Sequence, residues 1–180
     1  MRSGALRAAL LGSSAALAAC ALVVACSSVG ERGDAGVPPK LLIGDREAAI
    51  FAAAETWTLI ATDPLPPAGG EVPEDNVRGY RVLGRAELSD ASARRELVES
   101  LNAGIRANDD MVAACFDPRH ALRAETEAGS AELLICFECL QIYVYGDEGE
   151  RTDTVLTSKL PAATFDRIFG AHGLTIAPRW

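Results

Sequence analysis

Three of the chain's five cysteines and one of its two histidines fall within one stretch, Cys115 to Tyr145, which reads CFDPRHALRAETEAGSAELLICFECLQIYVY. Their spacing admits three chemistries. Cys115-x4-His120 with Cys136-x2-Cys139 offers three sulfurs and one imidazole nitrogen, a donor set that suits structural zinc. The same thiols can instead form a disulfide between Cys115 and one of the other two. Cys136-Phe137-Glu138-Cys139 also has the CxxC spacing of a thiol–disulfide oxidoreductase, a motif that works best at a helix N-terminus, where the helix dipole favours the thiolate.

The elements that must position these residues read as a β-hairpin. Ala121 to Thr126 forms one strand and Leu133 to Tyr145 the other, turning near Ala128-Gly129. A two-residue turn there sets Arg119 opposite Glu138, Pro118 opposite Cys139 and His120 opposite Phe137, a register that turn position can shift. Arg119 and Arg123 near Glu138 suit a structural salt bridge, or a small anion. Asp117-Pro118 initiates a turn. In an unbroken strand Cys136 and Cys139 point to opposite faces, so a bond between them needs a kink. The flanks LLI and LQIYVY are strand flanks, which weakens the redox reading. A zinc knuckle would also need a turn at Phe137-Glu138.

The compartment bears on that choice. Met1 to Arg7 carries two arginines, and Ala8 to Ala25 is uncharged and apolar or small, the n- and h-regions of an export signal over residues 1–25. Leu22-Val23-Val24-Ala25-Cys26 resembles the lipobox of bacterial lipoproteins, which implies cleavage before Cys26 and its lipidation. Leu17-Ala18-Ala19-Cys20 is the alternative site. Cys26 is preferred because it leads directly into the polar tether SSVGERGDAGVPPK, so residues 26–40 make a lipidated cysteine and flexible linker. Ser27 rather than Asp after the lipidated cysteine implies, by the same resemblance, an outer-membrane protein facing the periplasm rather than an inner-membrane one. Outside the cytoplasm a disulfide is the default, and Cys115–Cys139 is its first expected pairing, with Cys115–Cys136 second.

The remaining chain alternates helical and extended patterns. Asp45 begins an alanine-rich helix and TWTLIA at 56–61 a strand. Asp63 to Asn76, with four prolines, is a long loop. Arg78 to Ala86 is a strand, and Ser89 caps a helix to Arg106 with an apolar stripe of Leu97, Val98, Leu101 and Ile105. A short strand at 154–157 and a helix opened by Ser158 or Pro161 follow, with Gly173 as its stop and His172 as a favourable charge at its end. Strands in adjacent pairs predict an antiparallel sheet. The expected fold is a single two-layer α+β domain over residues 41–180, with about four to five strands covered by two to three helices.

The chain is acidic, with a formal charge of −8 and no cluster of Lys and Arg, which argues against a nucleic-acid partner. No GxSxG, HExxH, P-loop or GxGxxG motif appears, so an enzyme is the less favoured class. The pairing CFDPRH with ICFEC resembles a motif of secreted or lipid-anchored bacterial proteins without assigned activity. The resemblance covers about a sixth of the chain. It implies that Cys115, Pro118, Arg119, His120, Cys136 and Cys139 form one constellation, and no reaction or ligand. The sequence therefore points to a cell-envelope lipoprotein, membrane-bound through its lipid. It reads as a non-enzymatic binding or structural module with a disulfide-stapled hairpin, no cofactor, and a protein or small ligand as partner. The alternatives are a structural zinc protein using Cys115, His120, Cys136 and Cys139, and a periplasmic oxidoreductase using Cys136 and Cys139.

Overall fold

The computed structural model describes residues 39–179 apart from 66 and 67. The export signal, the lipidation sites Cys26 and Cys20 and most of the tether lie outside the described residues. The elements are helix α1 (Asp45–Ala53), strands β1 (Trp57–Asp63), β2 (Asn76–Val77) and β3 (Tyr80–Leu88), helix α2 (Ala91–Arg106), strands β4 (His120–Thr126), β5 (Gly129–Cys136), β6 (Gln141–Tyr145) and β7 (Arg151–Leu156), and helix α3 (Ala162–Ala171). The strands form one seven-stranded sheet in the order β2-β3-β1-β4-β5-β6-β7. Every pairing is antiparallel.

The class is α+β, but the sheet has seven strands rather than the expected four to five. The long strand expected over 133–145 is two strands, β5 and β6, because the chain turns at Phe137–Leu140. The short strand expected at 154–157 begins at Arg151 and pairs with β6, and β2 lies at the end of the proline-rich loop. Helix caps also differ in detail. Asp90, not Ser89, caps α2, its carboxylate accepting from Ser92 N at 2.8 Å. Asp45 lies inside the first turn of α1 behind Gly44 and makes no cap bond. Gly173, at φ 77°, ends α3 as its position predicted.

Side-chain alternation decides which face the helices cover. Trp57, Leu59, Leu122, Ala124, Leu133, Ile135, Ile142 and Val144 share one core with Ile50 and Phe51 of α1, Leu97, Val98 and Leu101 of α2, and Phe165, Ile168 and Phe169 of α3. Helices α2 and α3 meet closely at Gly104. A Cβ there would lie 2.7 Å from Thr157 Oγ1 and 2.8 Å from Pro161 Cδ, and Ser158 N donates to Gly104 O at 2.9 Å. Gly104→Ala is therefore expected to lower stability by about 1–3 kcal/mol through overpacking, against an intrinsic helix gain of about 1 kcal/mol. Urea unfolding measures this, and an unchanged or higher midpoint would refute it.

The opposite face carries a smaller cluster, Ile60, Val77, Ala121 and Leu134, edged by Tyr80, Val82, Phe116, Tyr143 and Tyr145. Phe116 stacks on Tyr143 with ring centroids 3.6 Å apart. The Tyr80 hydroxyl donates to Phe116 O at 2.8 Å. These contacts fix the loop between α2 and β4 against the sheet, and with it the residues on either side of Phe116, Cys115 and Asp117.

Candidate functional site: a three-cysteine cluster at the β5–β6 turn

Strand β5 ends at Cys136, and the chain reverses through Phe137, Glu138, Cys139 and Leu140 into β6. Leu140 takes φ 61°, a left-handed conformation that lets a turn close where no glycine is present. Cys139 N donates to Cys136 Sγ at 3.0 Å. The turn brings the Cα atoms of Cys136 and Cys139 to 5.1 Å, and the two cysteines form a disulfide. This corrects the expected pairing of Cys115 with Cys139 or Cys136. The objection to a Cys136–Cys139 bond assumed an unbroken strand, and the strand is broken there.

Cys115 keeps a free, exposed thiol, and its Sγ lies 3.4 Å from Cys139 Sγ. Several bonds hold it there. Ala113 N donates to Cys139 O at 3.1 Å. The amide of Gln141 donates to Ala113 O at 2.9 Å and to Cys115 O at 3.3 Å. Asp117 N donates to Cys139 Sγ at 3.1 Å. Cys136 and Cys139 are fully buried, so Cys115 is the sulfur that solvent can reach. The ligand atoms of Cys115, Asp117 and Cys139 all lie within 4.8 Å of one another.

His120 does not join this cluster. It is buried and ringed by Phe137, Phe165 and Phe169 at centroid distances of 5.4, 5.8 and 4.9 Å. Its Nε2 lies 3.0 Å from Asp166 Oδ1. An ionised carboxylate only accepts, so the proton sits on Nε2 and His120 donates. Burial pushes the His120 pKa down, opposed by the hydrogen bond and charge of Asp166. Burial works to raise the Asp166 pKa, but hydrogen bonds from His120 and Arg179, with their charges, hold it down at about 2. Of the alternative metal set Cys115, His120, Cys136 and Cys139, His120 is therefore held apart by Asp166, while Asp117, read from the sequence as a turn former, lies beside Cys115 and Cys139.

The neighbouring charges form a second network. Arg119 is buried and donates from Nε and Nη2 to Pro178 O at 3.1 and 2.9 Å. It pairs with Glu138 at 3.4 Å. Arg179 bridges Glu138 and Asp166, each at 2.7 Å. The Arg119–Glu138 pair was expected directly across the hairpin. The register differs by two residues, with His120 opposite Ile135 and Thr126 opposite Gly129, and Glu138 reaches Arg119 from the turn instead. Asp166 and Arg179 carried no sequence signal, since their partners are dozens of residues away.

Cys115, Cys136 and Cys139 thus lie with Asp117 at the β5–β6 turn, while the buried Arg119 and His120 lie in a partly exposed ionic network that reaches the turn through Glu138. Together they define an α+β domain with a sulfur centre at a hairpin tip. Compared with protein-family models, curated proteins and solved structures, the chain matches none.

Proposed function

We propose that the protein is a lipid-anchored lipoprotein of the bacterial cell envelope, held through Cys26 on the outer membrane facing the periplasm, whose domain is a thiol–disulfide exchange module. The observation that carries the exchange reading is the exposed Cys115 thiol 3.4 Å from Cys139 Sγ of a buried disulfide. The anchor rests on the export signal and lipobox.

The Cys115 thiolate attacks Cys139 Sγ. The Cys115–Cys139 bond forms, the Cys136–Cys139 bond breaks, and Cys136 leaves as a thiolate that takes up the proton Cys115 lost. No electrons are gained or lost in this step. A partner thiolate then attacks Cys115, giving a mixed disulfide and a free Cys139 thiol. A second partner thiol resolves the mixed disulfide, leaving the partner oxidised and this protein reduced by two electrons. Burial of Cys136 and Cys139 makes Cys115 the port through which partners enter.

The test is a Cys136→Ser variant and a peptide map of the wild type. The variant is expected to lose two hydrogens with oxidised glutathione as oxidant, forming Cys115–Cys139. In the wild type, one thiol per chain should alkylate, divided between Cys115 and Cys136. Alkylation confined to Cys115, with Cys136→Ser keeping two free thiols, would refute exchange. It would favour the second reading, a non-enzymatic binding or structural module whose disulfide staples the turn, which the bonds from Ala113 N and the Gln141 amide to Cys139 O support.

A further inference from the structure

We propose that the same cluster, once its disulfide is reduced, is a binding site for one divalent cation of the zinc class, held by the sulfurs of Cys115, Cys136 and Cys139 and the carboxylate of Asp117. The inference rests on the exchange reading to the extent that the Cys136–Cys139 bond must open to a thiol reductant. A dithiol supplies the two electrons: it becomes a cyclic disulfide, and Cys136 and Cys139 become thiols. Metal binding then displaces three protons, one from each cysteine.

Four features carry the site. The sulfur of Cys115, the carboxylate of Asp117 and the sulfur of Cys139 already lie within 4.8 Å of one another. A tetrahedral ion with metal–sulfur bonds of about 2.3 Å sets its sulfurs about 3.8 Å apart, and Cys115 Sγ and Cys139 Sγ stand at 3.4 Å, so only a few tenths of an ångström of opening is needed. The turn holds Cys136 and Cys139 with Cα atoms 5.1 Å apart, close enough for both sulfurs to face one ion when no longer bonded to each other. Two backbone donors already point at sulfur, Cys139 N at Cys136 Sγ and Asp117 N at Cys139 Sγ, at 3.0 and 3.1 Å. Such donors offset thiolate charge and orient the ligands of a metal centre. Three thiolates and a carboxylate prefer zinc over magnesium or calcium, which take oxygen ligands.

His120 has no part in the site. Its Nε2 is committed to Asp166 and its ring to three phenylalanines. That separates this proposal from the donor set the spacing alone suggested and makes Asp117 the discriminating residue. The oxidised protein should not bind, because two of the three sulfurs are then shared in a covalent bond. Metal occupancy would therefore report the redox state of the disulfide.

The experiment uses the purified protein, reduced with a dithiol under nitrogen and desalted, with thiols counted first by an aromatic disulfide reagent and folding checked by circular dichroism. Zn2+ is then titrated against a chromogenic chelator, and Co2+ is added separately to read sulfur-to-metal charge-transfer absorption. The expected result is three thiols before metal, one Zn2+ per chain with those thiols protected, and none bound by the oxidised protein. Cys115→Ser should weaken Zn2+ at least about 100-fold and Asp117→Asn about 10-fold or more, while His120→Leu leaves affinity unchanged. A folded, fully reduced protein that binds no Zn2+, or that binds it equally well without Cys115, overturns the site and leaves the exchange reading standing. A disulfide that resists reduction in the folded protein overturns both.

Discussion

Replacing Arg119 with alanine is expected to cost about 3–5 kcal/mol of folding stability, about 1–3 from carbonyls left without their donors and the rest from the cavity a buried side chain leaves. Its guanidinium is 2% exposed. It satisfies Pro178 O twice and Asp117 O once, at 3.1, 2.9 and 3.3 Å, and pairs with Glu138. Truncation leaves the Pro178 carbonyl without these donors, opens a cavity beneath the tail after α3, and loosens the Asp117 backbone that holds the sulfur cluster. Arg119→Lys keeps the charge but cannot span Pro178 and Glu138 with one planar fork, so it should recover only part of the loss. At about 2–4 °C per kcal/mol for a domain of this size, the alanine variant should melt about 6–20 °C lower. Urea unfolding of the wild type and both variants measures the effect. A loss below about 1 kcal/mol for alanine would show that the tail is held by its apolar contacts, Leu174 and Ala177, rather than by the guanidinium.

The sulfur cluster shows which parts of this fold could be read from residues and which could not. Strand positions were legible in outline, from β-branched and aromatic residues in TWTLIA, and β1, β3 and β4 lie within a few residues of the segments read at 56–61, Arg78 to Ala86 and Ala121 to Thr126. The hairpin of β4 and β5 was legible too, although its turn residues are Glu127 and Ala128, which shifts the register by two. What misled the reading was Phe137-Glu138. Neither is a turn former, and both flanks are strand-like, so the pattern favours one strand through 145. The reversal depends on Leu140 in a left-handed conformation, which leucine seldom adopts. Loop contacts from Ala113 and Gln141, together with the disulfide, offset its cost. Such compensation comes from tertiary contacts, and local propensity carries no trace of it. One constellation of Cys115, Pro118, Arg119, His120, Cys136 and Cys139 was implied by the resemblance of CFDPRH and ICFEC. Its division into a sulfur subsite and an ionic subsite was not, because Asp166 and Arg179 supply the partners that draw His120 and Glu138 away from the sulfurs.

The second large effect is a loss of stability on mild acidification that depends on His120. Burial places its folded pKa below the unfolded value of about 6.5, with the charge of Arg179 acting the same way and the charges of Asp166 and Glu138 opposing. Above pH 6.5 both states hold a neutral imidazole and the contribution is fully present. As pH falls through 6.5 the unfolded chain takes up a proton that the folded protein does not, so stability declines by up to about 1.4 kcal/mol per pH unit until the folded pKa is reached. Asp166 adds a separate loss: its pKa is about 2 in the fold against 3.8 for a free carboxyl, so its contribution is present above 3.8 and disappears as pH falls toward 2. The two windows can be resolved because mild acid reaches the first and not the second. Urea unfolding at about pH 7.5 and about pH 5.5 should show the wild type losing stability between them. His120→Leu should be less stable at the higher pH, because Asp166 loses a donor, yet should lose much less than the wild type on going to the lower one. His172, the other histidine of the chain, is present in both proteins and serves as the internal control. An equal decline in wild type and variant would mean that the His120 ring is charged in the native state, with Asp166 and Glu138 outweighing its burial among Phe137, Phe165 and Phe169.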